Sequence, residues 1–276
     1  MTTVTVGIIA ANEAEMIGGC LSLLQWADEI IVLVDDRSTD DTAGIARSAG
    51  ATVHVEPWRG FAAQRNRLAE LATGDWLLYV DADERVTHQL AEEVRRTLDS
   101  SEMAAYSIKT QNVFLGRPML HGAWWPDPHL RLVQRAKLRG WDGLLHETPI
   151  LDGPAGALEA PFVHLGHRDL PAMLVKTAQW APLDARRRTE GPYPRVRLRS
   201  FASAIAREVG RRLIRGQAWR DGIEGWIETL YQSFSSFMTV AVAWQLQRRE
   251  PLEETYRRLD AHLHEGGSLE DFFGRR

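Results

Sequence analysis

The chain has almost no cysteine. One residue in 276, Cys20, excludes an intramolecular disulfide and a multi-cysteine zinc cluster. That economy fits a reducing compartment. The N-terminus, MTTVTVGIIAANEAE, lacks the basic region that opens a signal peptide, so a strand is expected there instead. No internal repeat and no low-complexity linker divides the chain. The net charge of -4 argues against a general polyanion binder, so no nucleic-acid partner is expected. A mean hydropathy of -0.28 with 44% hydrophobic residues excludes disordered and fibrous classes. What remains is a soluble globular protein of one large domain or two small ones. The cytosol, or the cytosolic face of a membrane, is the expected setting.

Short apolar runs alternate with amphipathic stretches over the first hundred residues. Val4 to Ala10, Ile30 to Val34, Val53 to Val55 and Trp76 to Val80 read as strands. Between them, Ala14 to Trp26, Ala43 to Ala49 and Ala62 to Thr73 read as helices, the second capped by Ser38, Thr39 or Asp40. Strands that are apolar on both faces and separated by helices predict a parallel sheet covered on both sides. In such sheets ligands bind beyond the carboxyl ends of the strands. Two of the apolar strands end in acid there: Asp35-Asp36, and Asp81-Ala82-Asp83-Glu84.

Asp81 and Asp83, two residues apart after a buried strand, form a hard-oxygen site suited to Mg²⁺ or Mn²⁺. Such an ion would neutralise a diphosphate and the charge developing on a leaving group. Asp36 can accept hydrogen bonds from a base or a ribose. Arg65 lies early in a helix, where it could stack on a nucleobase or approach a phosphate. His164 could complete a metal's coordination. Glu147 is the leading candidate for a catalytic base, with Asp127 and Asp142 as rivals. Trp124, Trp125 and Trp141 either stack on a sugar ring or form a satellite core.

The C-terminal texture differs. Residues 186 to 215 carry ten arginines, from Arg186 to Arg215, against Glu190 and Glu208. The following stretch, Ile223 to Leu246, is apolar and aromatic, with no charge between Thr229 and Gln247. Together they predict a segment that lies on an anionic bilayer surface rather than crossing it.

The order of IIAANEAE, VDDRSTDDT, GFAAQRNRLAELATGDWLLYVDADERV, HLRLVQR and LLHE resembles glycosyltransferase family 2, whose fold is GT-A. Within it the chain is most similar to bacterial lipopolysaccharide core β-glucosyltransferase-like enzymes. The resemblance implies a nucleoside pocket lined by Ala11, Glu13 and Asp36, with Arg65 near the base. It implies Asp81 near the ribose and diphosphate, Asp83 on the metal, and Glu147 near the general base. Apart from the resemblance, Trp124, Trp125, Arg131, Trp141 and His146 are the candidates for the acceptor side. The chain departs from the family's pattern at Ala11, where many members carry an aromatic residue. It departs again at Asp36, where the core glucosyltransferases usually carry a small one.

The expectation is therefore an α/β fold: a GT-A (Rossmann-like), mostly parallel sheet with helices on both faces over residues 1–170, including an acceptor region from about 105. A helical, arginine-rich, membrane-associating extension over 171–276 would follow. The expected reaction is inverting transfer from a nucleotide-diphosphate sugar, a UDP-sugar foremost, to a hydroxyl of a lipid-linked or lipopolysaccharide-type glycan. The enzyme would sit peripherally on the inner face of the cytoplasmic membrane. One alternative is a polyprenyl-phosphate sugar synthase, whose phosphate acceptor needs no strong base. A nucleotidyltransferase would need a Gly-rich loop with a basic residue after the first strand, and AANEAE has neither. A non-catalytic membrane-binding module is the third.

Overall fold

The computed structural model describes residues 2–98, 101–143, 147–167, 169–189 and 194–274. The strands are β1 (Val4–Ala10), β2 (Glu29–Asp35), β3 (Thr52–Glu56), β4 (Trp76–Asp81), β5 (Glu84–Val86), β6 (Ala105–Phe114), β7 (Arg117–Pro118), β8 (Pro128–Gln134), β9 (Leu138–Asp142), β10 (Thr148–Leu151), β11 (Ala155–Ala157) and β12 (Phe162–His167). The helices are α1 (Ala14–Leu21), α2 (Thr42–Ser48), α3 (Phe61–Leu71), α4 (His88–Leu98), α5 (Leu170–Thr189), α6 (Leu198–Glu208), α7 (Gly222–Leu246), α8 (Leu252–His264) and α9 (Leu269–Phe273). Two compact units result: residues 1–170 with 211–228, and residues 171–210 with 229–276.

In the first unit the main sheet runs β3-β2-β1-β4-β8-β6-β12-β5, with β7 and β11 attached to β6. The expected parallel arrangement holds across β3-β2-β1-β4. Beyond β4 the sheet is mixed, because β8 runs antiparallel to both β4 and β6. Alternate residues of β2 and β4 enter two cores. Val32, Val34, Leu78 and Val80 pack on one face, and Ile31, Leu33, Leu77 and Tyr79 on the other. Burial on both faces is the physical origin of the unbroken apolar runs.

Two local expectations shift. The first helix stops at Leu21 and gives way to turns, in which Leu24 N–H bonds Leu21 O at 3.1 Å and Leu24 stays fully buried. Asp41, not Ser38 or Asp40, precedes α2, and it makes no side-chain cap. Asp40 instead ties two loops together, accepting from Ala14 N at 2.9 Å and from the Thr42 hydroxyl at 2.5 Å. Asn12 performs a matching task. Its left-handed backbone (φ 56°) suits asparagine, and its Oδ1 accepts from Thr39 N at 2.8 Å.

Cys20 lies fully buried on α1, and burial pushes its thiol up to about 12. Native protein at pH 8 is therefore expected to show no thiol reactive to a disulfide reagent, and one per chain after denaturation. Rapid labelling of the folded chain would contradict this placement.

The second unit is helical. A small core of Ala185, Val196, Ala204, Val240 and Ala243 joins α5, α6 and α7. The Thr177 and Tyr231 hydroxyls lie 2.7 Å apart, and Val196 N–H donates to Gln247 Oε1 at 2.8 Å. Leu174, Val175, Leu183, Leu198, Phe234 and Trp244 are exposed. Among the described residues no helix is long and apolar enough to cross a membrane.

Candidate active site

Parallel pairing of β2-β1-β4 brings three strand ends to one edge of the sheet. Ala11 and Glu13 follow β1, Asp36 follows β2, and Asp81 closes β4. Ala11 and Asp36 are exposed there, whereas Asp35 is buried and held by Arg37, whose Nη2 lies 2.6 Å from its Oδ2. Asp36 is thus the member of the pair open to a ligand. Glu13 N–H donates to the Thr42 hydroxyl at 2.8 Å, which fixes the β1–α1 loop beside the start of α2.

Asp83 acquires its partner through the far edge of the sheet. The chain turns from β4 into β5, which pairs antiparallel with β12 in the register His164↔Glu84. Leu165 N–H donates to Asp83 O at 2.9 Å, and His164 Nε2 stands 3.1 Å from Asp83 Oδ2. His164 Nδ1 lies 2.6 Å from Asn112 Oδ1 on β6, which orients the ring with Nε2 toward Asp83. Burial alone would lower the His164 pKa, but the Asp83 hydrogen bond and the surrounding carboxylates raise it.

These two side chains fit a divalent ion. Adjacent ligands in an octahedron with bonds of about 2.1 Å are about 3 Å apart, close to the spacing of Asp83 Oδ2 and His164 Nε2. Among the described residues no third His, Cys, Asp or Glu completes a site, so a substrate's own oxygens would supply the rest of the shell. Gly166 keeps the cradle open. A Cβ there would lie 2.5 Å from His164 Nε2 and 2.8 Å from Asp83 Oδ2. If Asp83 and His164 hold Mn²⁺, Gly166→Ala is expected to weaken its binding at least about tenfold while leaving the unfolding midpoint nearly unchanged. Unaltered affinity by calorimetry would show that this backbone does not crowd the ligands.

Behind the pair stands a web of charge. Arg131, on β8, places Nη2 2.8 Å from Asp81 Oδ2 and 3.0 Å from Glu84 Oε1. Glu84 is 2% exposed, and its Oε2 accepts from Asp81 N at 2.9 Å. Burial pushes Glu84 up to about 7, with Arg131 drawing it down and Asp81 pushing it further up. Burial opposes ionisation of Asp81 too, but Arg131 and Arg65 win and hold its carboxyl well below the usual range.

Arg65 comes from α3 and is 8% exposed. Its Nε donates to Glu147 Oε1 at 2.6 Å, and its Nη2 lies 3.9 Å from Asp81 Oδ1. The guanidinium sits 5.2 Å from the Tyr79 ring and 5.0 Å from the Trp141 ring. Trp141, expected on the acceptor side, is buried and donates its indole N–H to Tyr79 Oη at 2.9 Å. It supports Arg65 rather than offering a face to a sugar. Trp124 lies under Arg212 at 5.3 Å, and Trp125 forms a cis peptide with Pro126. Asp127 pairs with His129 at 3.1 Å, and that bond, with His164 and Arg131, holds its carboxyl below the ordinary value. Asp142 is exposed and bonds Gly143 N at 2.8 Å. His146 lies outside the described residues.

Sequence reasoning did not assign Tyr79, Glu84 or Asn112. Tyr79 was hidden inside an apolar run, and Asn112 inside a strand. Glu84 belonged to the acidic block, but only the β8 neighbour gives it a cation.

A sequence model described as Glycosyl transferase family 2 matches residues 5–146, just over half of the chain. The chain belongs to glycosyl transferase family 2. It is a glycosyltransferase, and its first unit has the GT-A fold. A Rhizobium meliloti protein named lipopolysaccharide core biosynthesis glycosyltransferase LpsC is 29% identical over 247 residues, covering 86% of this chain and 90% of that one. An uncharacterized glycosyltransferase of Rickettsia bellii is 41% identical, over 37% of this chain and 36% of its own. Among solved structures, S. aureus TarS 1-349 in complex with UDP-GlcNAc matches with a TM-score of 0.45 and 14% identity, over 93% of this chain and 92% of that one. Glucosyl-3-phosphoglycerate synthase of Mycobacterium tuberculosis, in complex with Mn²⁺, UDP and glucosyl-3-phosphoglycerate, matches with a TM-score of 0.44 and 20% identity. That match covers 70% of this chain and 81% of the other.

Proposed function

We propose that this glycosyltransferase moves a sugar, with inversion, from a UDP-sugar to a hydroxyl of a lipopolysaccharide-type or lipid-linked glycan. The observation that carries the reading is the Asp83–His164 pair at the edge where β1, β2 and β4 end. Asp83, with His164, would hold Mg²⁺ or Mn²⁺, which when bound supplies positive charge to the departing diphosphate. Ala11, Glu13 and Asp36 line the nucleoside side. Arg65 and Arg131 fix Asp81 between them, so that its carboxylate keeps one position as the ligand binds. Glu147 serves as the base. Its Oε1 is anchored by Arg65, and its Oε2 carries no bond among the described residues, which leaves one oxygen to take the acceptor's proton.

The glycan class follows the LpsC relative, whose match runs along most of both chains. The second unit supports work at the inner face of the cytoplasmic membrane. Exposed Arg186, Arg187, Arg195 and Arg199 accompany its exposed apolar side chains, a combination suited to anionic headgroups.

Thermal shift against a panel of nucleotide sugars, with and without Mn²⁺, tests the donor. The expected result is a metal-dependent rise in melting temperature with UDP-sugars, and no selective shift would overturn the reading. Glu147→Gln separates the acceptors. Loss of transfer supports a hydroxyl, and near-full activity would favour a phosphate acceptor, as in a polyprenyl-phosphate sugar synthase.

A further inference from the structure

The loop from Met119 to Asp127, between β7 and β8, is hydrogen-bonded at both ends to β6, beside the residue that orients His164. Met119 N–H donates to Asn112 O at 2.9 Å, and Thr110 N–H donates to Asp127 O at 3.0 Å. Between these anchors the loop is held by a distant stretch of chain, residues 211–228, which belongs to the same compact unit. Gly122 N–H donates to Gly216 O at 2.8 Å, and Arg212 Nη1 donates to Gly122 O at 3.2 Å.

Asp221 is the firmest of these ties. It is 3% exposed, and its Oδ2 accepts from Leu120 N at 3.2 Å and His121 N at 2.8 Å. Its Oδ1 lies 2.7 Å from His121 Nδ1. A carboxylate oxygen accepts, so this contact selects the tautomer with the proton on Nδ1 and a lone pair on Nε2. Among the described residues Nε2 has no partner, and the His121 side chain is 24% exposed. A buried acid that fixes one imidazole nitrogen and leaves the other open to solvent is the arrangement of an oriented hydrogen-bond acceptor.

We propose that His121, positioned by Asp221, is an acceptor-binding residue whose Nε2 takes a hydrogen bond from a hydroxyl of the glycan acceptor. The inference rests on the glycosyl-transfer reading, and adds a group that neither the motifs nor the nucleotide side provides. It also gives residues 211–228 a role: they are the strut of the acceptor loop. A sugar hydroxyl is the matching ligand, because it can donate to that lone pair while its ring covers the half-exposed loop.

Two substitutions separate binding from mere support. Asparagine can keep the bond to Asp221 through its amide N–H but has nothing at the Nε2 position. Glutamine reaches that position with its amide oxygen. With rough-type, core-truncated lipopolysaccharide as acceptor, His121→Asn is expected to raise the acceptor KM at least about tenfold with little change in kcat. His121→Gln is expected to recover to within about threefold of the unmodified enzyme. A normal acceptor KM in His121→Asn would overturn the proposal and leave the histidine as loop support alone. Calorimetry of UDP with Mn²⁺ reports on the donor reading separately, and should stay within about twofold in both variants. Absence of that binding from the unmodified enzyme would strike the nucleotide-sugar reading, whereas the acceptor comparison decides this one.

Discussion

Asp83→Asn is expected to lower kcat about a thousandfold while leaving the protein folded. Under the proposed function the carboxylate is one of two side chains that would hold a divalent ion, and losing charge stabilisation at a developing anion costs about 10²–10³ in rate. Little stability should go with it. Asp83 is 23% exposed at its side chain, and its contact with His164 is one hydrogen bond at a half-open edge. The discriminating pair of measurements is steady-state transfer and UDP calorimetry, each with and without Mn²⁺. The variant should bind UDP equally weakly in both conditions, as is expected of the unmodified enzyme in excess chelator. A variant retaining more than about a tenth of normal kcat would remove Asp83 from the centre of the site.

Arg131→Met should instead cost stability. The arginine is nearly buried, its side chain 11% exposed, and it is shared by two carboxylates, one of which is Glu84 at 2% exposure. Methionine fills much of the volume but leaves the buried Glu84 carboxyl with no cation and Asp81 with Arg65 alone. Removing one partner of a buried pair typically costs about 3–5 kcal/mol, chiefly because the remaining charge is stranded. Urea unfolding should show a loss of that size, and adding Glu84→Gln should return part of it, since the buried carboxyl that lost its cation is then replaced. A single variant within about 1 kcal/mol of the parent would mean that water already screens the cluster.

The two predictions separate residues that differ little in the sequence. Asp81, Asp83 and Glu84 stand in one four-residue block, yet one is expected to govern the chemistry and the other two to set the architecture around Arg131. Position in the block does not explain the division. It follows from which strand each residue meets.

Much of the frame was legible from local patterns. The apolar runs of β1, β2 and β4 announce a sheet buried on both faces, because a strand covered by helices on each side has no polar position to spare. The acidic strand ends are legible for the same reason: charge appears where the chain leaves the core. The family's motifs name the same edge, and their order along residues 9–90 carries most of the resemblance. Non-local pairing was not legible. The departure of β8 from parallel order puts Arg131 beside Asp81, and nothing periodic in HLRLVQR signals a strand direction. Trp141 reads from sequence as a loop indole suited to a sugar, but the β9–β10 hairpin and the contact of β9 with α3 bury it against Tyr79.

What the sequence determined by itself is the kind of protein: a doubly covered sheet whose strand ends carry acid, followed by a basic helical stretch. Those features depend on neighbours a few residues apart, which composition and period report directly. Only the tertiary structure decided the partners. His164 meets Asp83 through the β5–β12 register, Glu147 meets Arg65 across 82 residues, and His121 meets Asp221 across 100. Contacts at such separations are set by which strands lie side by side and by how the chain returns. Those are properties of the whole packing, and no short window of residues contains them.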